Sequence, residues 1–216
     1  MCGRYTLKTP LDKLVQQFDL TGQSPTLSPN YNVAPTQNVA AVMNGRRLET
    51  LRWGLIPSWA KDDSIGARLI NARAETVNEK PSFRSAFRRR RCLIPADGFY
   101  EWRRLNGGKQ PYYITLRGGE PFVFAGIWES WSGAGEDVLS CAIITTRANS
   151  LVAEIHERMP VIIPAIAYDD WLDPEIDAHE ALALLEPYPA DAMDAYLVST
   201  HVNRPANNDE RCVKPL

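Results

Sequence analysis

The segment VAAVMNGRRLETLRWGLI, residues 39–56, decides the fold class of this 216-residue chain. Two apolar runs, Val39–Met43 and Leu48–Ile56, flank the pair Asn44-Gly45, which is a strong short-range signal for a β-hairpin. Outward from this hairpin, further apolar runs predict strands at Cys92–Pro95, Phe99–Arg103, Tyr112–Leu116, Phe122–Trp128, Val138–Thr146 and Met159–Ile163. Many short strands without a regular alternation with helices predict an α+β fold around a curved, largely antiparallel sheet.

The helical patterns are short and lie between or after these strands. Pro10 precedes apolar residues at helical spacing, and proline is well tolerated in a first helical turn. The predicted helices cover residues 10–18, 81–91, 169–172 and 180–186, while residues 21–37 are rich in Pro, Ser, Thr and Asn and are predicted as a loop.

Length and composition indicate one compact domain spanning residues 1–216. Of these residues, 44% are hydrophobic and 23% are charged, which is ordinary for a globular protein and excludes collagen-like, disordered and coiled-coil chains. No apolar run approaches the roughly 18 residues of a membrane helix, and the N-terminus lacks the pattern of a secretory signal. The four cysteines are too scattered for a disulfide framework, so a reducing cytoplasmic setting is expected.

The net charge of −2 conceals an asymmetry along the chain. Residues 1–104 carry 17 Lys and Arg against 9 Asp and Glu, whereas residues 105–216 carry 7 against 17. A surface built mainly from the first half would attract a polyanion. The alternative is that the two halves fold together and their charges intermix.

Cys2 is the first candidate for chemistry. A small residue after the initiator methionine permits removal of Met1, which would leave cysteine at the mature N-terminus. Such a residue carries a free amine and a thiol on adjacent carbons, with reference pKa values of about 8 and 8.5. Together these groups can convert an aldehyde into an imine and then into a thiazolidine ring. The alternative is a small buried residue on a first strand.

Polar side chains in apolar surroundings supply further candidates. Glu101 lies in an aromatic-rich strand, where burial would raise its proton affinity and suit it to acid–base catalysis. Asn71 follows an apolar pair, and His156 precedes an apolar strand and could exchange protons near neutral pH. The alternatives are a solvent-face glutamate on an alternating strand for Glu101 and a structural histidine for His156.

Arginine alternates with aromatic residues in a way that suits single-stranded DNA, because guanidinium groups hold phosphates while flat rings stack on bases. Examples are Arg4-Tyr5, Arg52-Trp53 and Trp102-Arg103. The run Arg88–Arg91 is predicted as a solvated helix end. No metal or other cofactor is expected, since the three histidines lack partners at ligand spacing and no phosphate-binding glycine loop is present.

Six motifs, read in order, resemble the SOS-response-associated peptidase family over most of the chain. They are Cys2-Gly3-Arg4-Tyr5, Tyr31-Asn32-Val33-Ala34-Pro35-Thr36, Arg52-Trp53-Gly54-Leu55-Ile56-Pro57, Asn71-Ala72-Arg73-Ala74-Glu75-Thr76, Ala96-Asp97-Gly98-Phe99-Tyr100-Glu101-Trp102 and Ile155-His156-Glu157-Arg158-Met159-Pro160. The resemblance implies a barrel-like sheet with short peripheral helices. It also implies a protein that recognises abasic sites in single-stranded DNA and protects them by a covalent thiazolidine crosslink through Cys2. A monomer is expected, because nothing in the sequence requires more.

The resemblance assigns roles to individual residues. It implies that Cys2 is the nucleophile, Asn71 positions the sugar, Glu101 is the acid–base group and His156 assists proton transfer. The implied DNA-contacting residues are Arg4, Pro35, Trp59, Arg73 and Arg158. The family name implies an autoproteolytic release of whatever precedes Cys2, and a strand-cleaving lyase activity is a further expectation. The expected location is the cytoplasm, at the nucleoid during action on DNA.

Two other functions remain open from the residues. An N-terminal-nucleophile hydrolase, such as an amidotransferase, also begins with an exposed cysteine followed by glycine and would release ammonia from glutamine. A non-covalent reader of single-stranded or modified DNA would bind in a salt-sensitive way without forming any covalent species.

Overall fold

The computed structural model describes residues 2–133, 135 and 137–216. Its strands are β1 Tyr5–Leu7, β2 Asn30–Val33, β3 Asn38–Met43, β4 Arg47–Trp53, β5 Asn71–Arg73, β6 Arg91–Ala96, β7 Gly98–Leu105, β8 Gly108–Leu116, β9 Phe122–Ser132, β10 Asp137–Arg147, β11 Arg158–Pro160 and β12 Met193–Leu197. Its α-helices are α1 Leu11–Gln17, α2 Arg84–Arg89, α3 Ser150–Ala153, α4 Tyr168–Leu172 and α5 Ala178–Ala183.

Five strands form a closed barrel. The predicted hairpin β3–β4 pairs with β6 through β3, β6 pairs with β9, and β9 pairs with β10. The ring closes because β10 also runs parallel to β4, with Ser140 opposite Arg52. All other pairings in this ring are antiparallel, so the expected α+β fold with a barrel-like, mainly antiparallel sheet and short helices is confirmed.

A second sheet carries the N-terminus, with strand order β12-β8-β7-β1-β2. The short strand β1 lies inside this sheet between β7 and β2, which fixes the start of the chain against long neighbours. The rings of Tyr5 and Phe124 meet edge to face with centroids 5.6 Å apart, so β1 also packs on the barrel. The N-terminal residues therefore lie where the two sheets meet.

Some elements differ from the sequence-based prediction. The predicted loop 21–37 contains β2, and the predicted strand Met159–Ile163 is regular only at Arg158–Pro160. Strands β1 and β5 have three residues each, which is too short for an alternating pattern to be visible in the sequence. In the described part of the chain the longest α-helix has seven residues, and no helix there reaches the length and hydropathy of a membrane span.

The charges of the two halves intermix. Ion pairs join Arg46 to Asp169 at 2.6 Å and Arg90 to Glu129 at 2.7 Å, which links basic residues of the first half to acidic residues of the second. Arg91 is 3% exposed, so the prediction of a solvated helix end is wrong for this residue. The guanidinium group of Arg91 instead binds backbone carbonyls inside the protein.

A contact between two glycines holds the loop that follows β4. Gly54 has φ +135°, and a Cβ atom on it would lie 2.6 Å from the carbonyl oxygen of Gly66. Neither position can carry a side chain without moving the other backbone segment. The loop between them contains Trp59, so this contact positions an exposed aromatic side chain beside the barrel.

Candidate active site

Cys2 lies against Glu101 because of the pairing between β1 and β7. In that pairing Tyr5 is opposite Phe99, and the Tyr100 N–H donates a hydrogen bond of 3.0 Å to the Arg4 carbonyl. The Cys2 side chain is fully buried, and this burial, with the nearby Glu101 carboxyl group, raises the pKa of the thiol well above its usual value. In this form of the chain the sulfur is therefore a protonated, enclosed thiol.

Glu101 is a carboxyl group in the interior. It lies on β7 opposite Tyr112 and is 2% exposed. Burial raises the pKa of Glu101 from 4.5 to about 7, so both protonation states are populated at neutral pH. A group with this pKa can both donate and accept a proton near neutrality, which is what acid–base catalysis requires.

We expect Glu101→Gln to stabilise the fold more at pH 8 than at pH 5. A carboxyl group whose pKa is higher in the folded state stabilises the protein when protonated, and this contribution is lost as the pH rises from about 4.5 to about 7. Glutamine does not ionise, so the difference in unfolding free energy between variant and native chain should increase by about 2.5 kcal/mol from pH 5 to pH 8. Urea unfolding at both pH values measures it, and an unchanged difference would contradict the raised pKa.

His156 shares a cavity with Glu101. The cavity has a volume of about 360 Å³ and is also lined by Trp102, Lys109 and Asn203. The Arg158 N–H donates to Nδ1 of His156 at 3.0 Å, so the neutral ring carries its proton on Nε2. Partial burial lowers the pKa of His156, which keeps the ring neutral at neutral pH with its Nε2–H as a hydrogen-bond donor.

Asn71 lies on β5, which runs parallel to β10 with Asn71 opposite Ile143. Its amide nitrogen donates to the Ile143 carbonyl at 3.4 Å, whereas its Oδ1 atom is buried without a hydrogen-bond partner. Just before β5, the Ile70 carbonyl accepts a 2.9 Å hydrogen bond from the Trp53 indole, whose ring also meets the Tyr5 ring of β1 at 5.4 Å. The unsatisfied amide oxygen is available to a ligand hydroxyl or N–H group.

The three predicted phosphate-contacting arginines differ in their surroundings. Arg4 donates to Asn32 Oδ1 and to the Val202 carbonyl, both at 2.8 Å. Arg158 forms a two-bond ion pair with Glu75, with N···O distances of 2.5 and 2.9 Å.

Arg73, at the end of β5, is exposed. Arg73 can therefore meet a phosphate directly, while Arg4 and Arg158 already have protein partners.

Pro35 and Trp59 lie in separate turns. Pro35 is in the turn that joins β2 to β3, where the Gln37 N–H donates to the Ala34 carbonyl at 3.3 Å. Trp59 is 59% exposed, and its loop is anchored by a 2.8 Å hydrogen bond from the Trp131 indole to the Ala60 carbonyl. An exposed tryptophan on an anchored loop is suited to stacking on a base.

The sequence analysis missed the C-terminal contribution to this site. Asn203 lines the cavity of Glu101 and His156, and its Oδ1 accepts a 2.8 Å hydrogen bond from the Trp102 indole. Lys109, from the turn end of the β7–β8 hairpin, lines the same cavity. No local pattern marks either residue, because the fold alone brings positions 101, 109, 156 and 203 together.

Comparisons with known proteins agree with one another. Residues 1–205 match the family model described as SOS response associated peptidase (SRAP). Abasic site processing protein YoqW of Bacillus subtilis is 47% identical over 222 residues, covering 99% of both chains. Abasic site processing protein HMCES of Gallus gallus is 32% identical, covering 87% of this chain and 66% of its own. A crystal structure of a protein from Bacteroides thetaiotaomicron superimposes with a TM-score of 0.93 at 30% identity, covering 100% of both chains.

Proposed function

This chain belongs to the SOS response associated peptidase family, and on that premise we propose that it binds abasic sites in single-stranded DNA and links them covalently to Cys2. Relatives at 47% and 32% identity are named abasic site processing proteins, which supports lesion processing as the activity. The observation that carries the covalent mechanism is the buried Glu101 carboxyl group beside Cys2. The proposed product shields the lesion from strand breakage.

The proposed reaction uses both nucleophiles of Cys2. The amine adds to C1′ of the ring-opened sugar, and the carbinolamine loses water to give an imine. The thiol sulfur then adds to the imine carbon while its proton passes to the nitrogen, which closes a thiazolidine ring with a net loss of one water. The second addition is intramolecular and gains from a high effective molarity.

Glu101 and His156 assist the proton transfers in this proposal. Protonated Glu101 donates its proton to the departing sugar ring oxygen and, as a carboxylate, takes up the proton of the C1′ hydroxyl group, which restores the acid. It then protonates the carbinolamine hydroxyl group that leaves as water. Neutral His156, in the same cavity, donates a hydrogen bond from its Nε2–H to the carbinolamine oxygen, which takes up the proton that the amine releases on addition. The unsatisfied Oδ1 atom of Asn71 accepts a hydrogen bond from the opened sugar.

The proposed DNA path uses the exposed cations and rings. Arg73 holds a phosphate, Trp59 stacks where a base is missing or displaced, and Pro35 shapes the bend of the strand. Arg4 and Arg158, which already have protein partners, contribute positive charge from fixed positions. Selectivity for abasic sites then comes from the aldehyde and the vacant base position, not from sequence.

Access to Cys2 is part of the proposal. The amine of Cys2 is held in the peptide bond with Met1, so Met1 must be released to free it, and the fully buried thiol with its raised pKa must become accessible to the sugar. We assign the autoproteolytic activity of the family name to this release. β-Elimination from the imine would give a lyase activity as a side reaction. The chain acts as a monomeric single domain, in the cytoplasm at the nucleoid.

Adduct formation on single-stranded DNA with one abasic site tests this function. The native chain should form a heat-resistant band on a denaturing gel, and Glu101→Gln should slow its formation about 100-fold with little change in binding. Glu129→Gln, at another buried glutamate that pairs with Arg90, is the matched control and should react at the native rate.

The pH dependence of adduct formation provides a second test of the same function. The rate of adduct formation by the native chain should rise toward pH 8, because the amine loses its proton there. Above pH 7 the rate should be limited, because Glu101 ionises and can no longer act as an acid. The two effects together give a maximum rate between about pH 7 and pH 8. Glu101→Gln should lose the alkaline limb. Salt-sensitive binding without any adduct would instead support a non-covalent reader, and ammonia release from glutamine would support a hydrolase.

A further inference from the structure

A second cluster of reactive side chains lies in the C-terminal segment. His201, Asp209 and Cys212 place one nitrogen, one oxygen and one sulfur atom within 4.8 Å of one another. Nε2 of His201 is 3.1 Å from Oδ2 of Asp209. No metal was expected from the sequence, because the three histidines, His201 among them, lack partners at ligand spacing. The fold brings them together through two short 3₁₀ turns, Thr200–Asn203 and Glu210–Cys212.

We propose that His201, Asp209 and Cys212 form a Zn²⁺ site. Imidazole, carboxylate and thiolate are all zinc ligands, and a thiolate favours zinc over calcium or magnesium. With metal–ligand bonds of about 2.0–2.3 Å, tetrahedral ligand atoms lie about 3.3–3.8 Å apart. The observed cluster therefore needs only a small contraction to hold the ion. Ionised Asp209 and Cys212 together balance its charge.

The three residues of the cluster differ in burial, and the two more exposed ones leave a route from solvent for a metal ion. Cys212 is fully buried, whereas the side chains of His201 and Asp209 are 21% and 38% exposed. The sulfur forms the floor of the site, and the nitrogen and oxygen line its open side. A water molecule from that side completes the four-coordinate shell, as three-ligand zinc sites allow.

Two neighbours must rearrange when the ion binds. Arg211 forms 2.9 Å hydrogen bonds to both oxygens of Asp209, and its side chain is 73% exposed, so it can swing into solvent. The amide nitrogen of Asn207 donates to Nδ1 of His201 at 3.1 Å and to the His201 carbonyl at 2.7 Å, so this side chain must move away from Nδ1 when Nδ1 gains its proton. The ring proton moves from Nε2 to Nδ1, and the Cys212 thiol releases its proton to solvent.

The ion would fasten the C-terminal segment over the N-terminal strand. The carbonyls of Val202 and Asn203 already accept hydrogen bonds from Arg4, at 2.8 and 3.4 Å. Asn32 donates to the carbonyls of Val202 and Asn207 at 3.1 and 2.8 Å. Zinc would cross-link the two ends of this segment and brace it over the N-terminal strand.

Cobalt absorption tests the site directly. The experiment uses the Cys2→Ala chain, because a mature N-terminal cysteine can itself chelate metals. Co²⁺ titration should give a sulfur-to-metal charge-transfer band and tetrahedral d–d bands at one equivalent, and Zn²⁺ should displace them. Adding Cys212→Ser should remove the charge-transfer band, and adding His201→Ala should weaken Zn²⁺ binding about 10- to 100-fold.

Two further variants distinguish loss of the metal site from a general loss of folded protein. Arg211→Ala removes the competing cation and should tighten Zn²⁺ binding about two- to fivefold. His179→Ala removes an exposed histidine of α5 and should leave affinity and spectrum unchanged. The proposal is overturned if a tenfold excess of Co²⁺ gives no charge-transfer band, if the band survives Cys212→Ser, or if Arg211→Ala weakens binding.

Discussion

Cys2→Ala is expected to reduce the heat-resistant adduct with abasic single-stranded DNA by at least about a thousandfold. The Cys2→Ala chain is prepared without Met1, so it still presents an N-terminal amine and an imine can form. Without the sulfur the imine cannot close to a thiazolidine and is lost by hydrolysis when the sample is heated. Quantifying the shifted band on a denaturing gel over time measures the effect.

Borohydride reduction separates the two steps in this variant. Reduction should trap the imine of Cys2→Ala with DNA, which would show that binding and amine attack survive. Cys92→Ala, at another fully buried cysteine, is the control and should form the adduct at the native rate. A heat-resistant adduct from Cys2→Ala at the native rate would refute a role for the thiol.

Arg91→Met is expected to reduce the free energy of unfolding by about 3–5 kcal/mol. Arg91 donates to the carbonyls of Trp171, Phe87 and Arg88 at 2.8, 2.6 and 2.9 Å, and also to that of Asp173. These carbonyls lie at the ends of α2 and α4, where a cation also meets the negative ends of the two helices. Methionine fills much of the space and leaves the carbonyls without donors.

Arg88→Met is the matched control for this prediction. Arg88 is an exposed neighbour on α2, so its replacement should change the unfolding free energy by less than about 0.5 kcal/mol. Urea unfolding of both variants at pH 7 gives the comparison. Equal stability of Arg91→Met and Arg88→Met would contradict the assignment of Arg91 as the link between the helix ends.

The barrel was predictable where its signals are local. The Asn44-Gly45 turn and the long apolar strands identify β3, β4 and β6 to β10 because each run is long enough to show its pattern. Strands β1 and β5 have three residues and exist only because longer neighbours pair with them. The positions of β1 and β5 decide where Cys2 and Asn71 lie. The geometry of the candidate site could therefore not be predicted from local sequence patterns.

Arg91 shows a second limit of sequence reasoning. A run of four arginines is usually solvated, and three of the four are exposed or only partly buried. The fourth begins β6, whose six residues are all buried, and it is tolerated there because the carbonyl ends of α2 and α4 converge on it. Glu101 was only a candidate for a buried carboxyl group from the sequence, because its aromatic-rich strand also fits a glutamate on the solvent face; the structure buries it.

The intact mass of the protein–DNA adduct tests the central claim most directly. A preparation containing both Met1-bearing and Met1-free chains is incubated with an oligonucleotide that has one abasic site, and reacted and unreacted species are weighed. We predict a single adduct whose mass equals the Met1-free chain plus the oligonucleotide minus one water, with all Met1-bearing chains unreacted. An adduct that retains Met1 would contradict attack by the amine and thiol of Cys2.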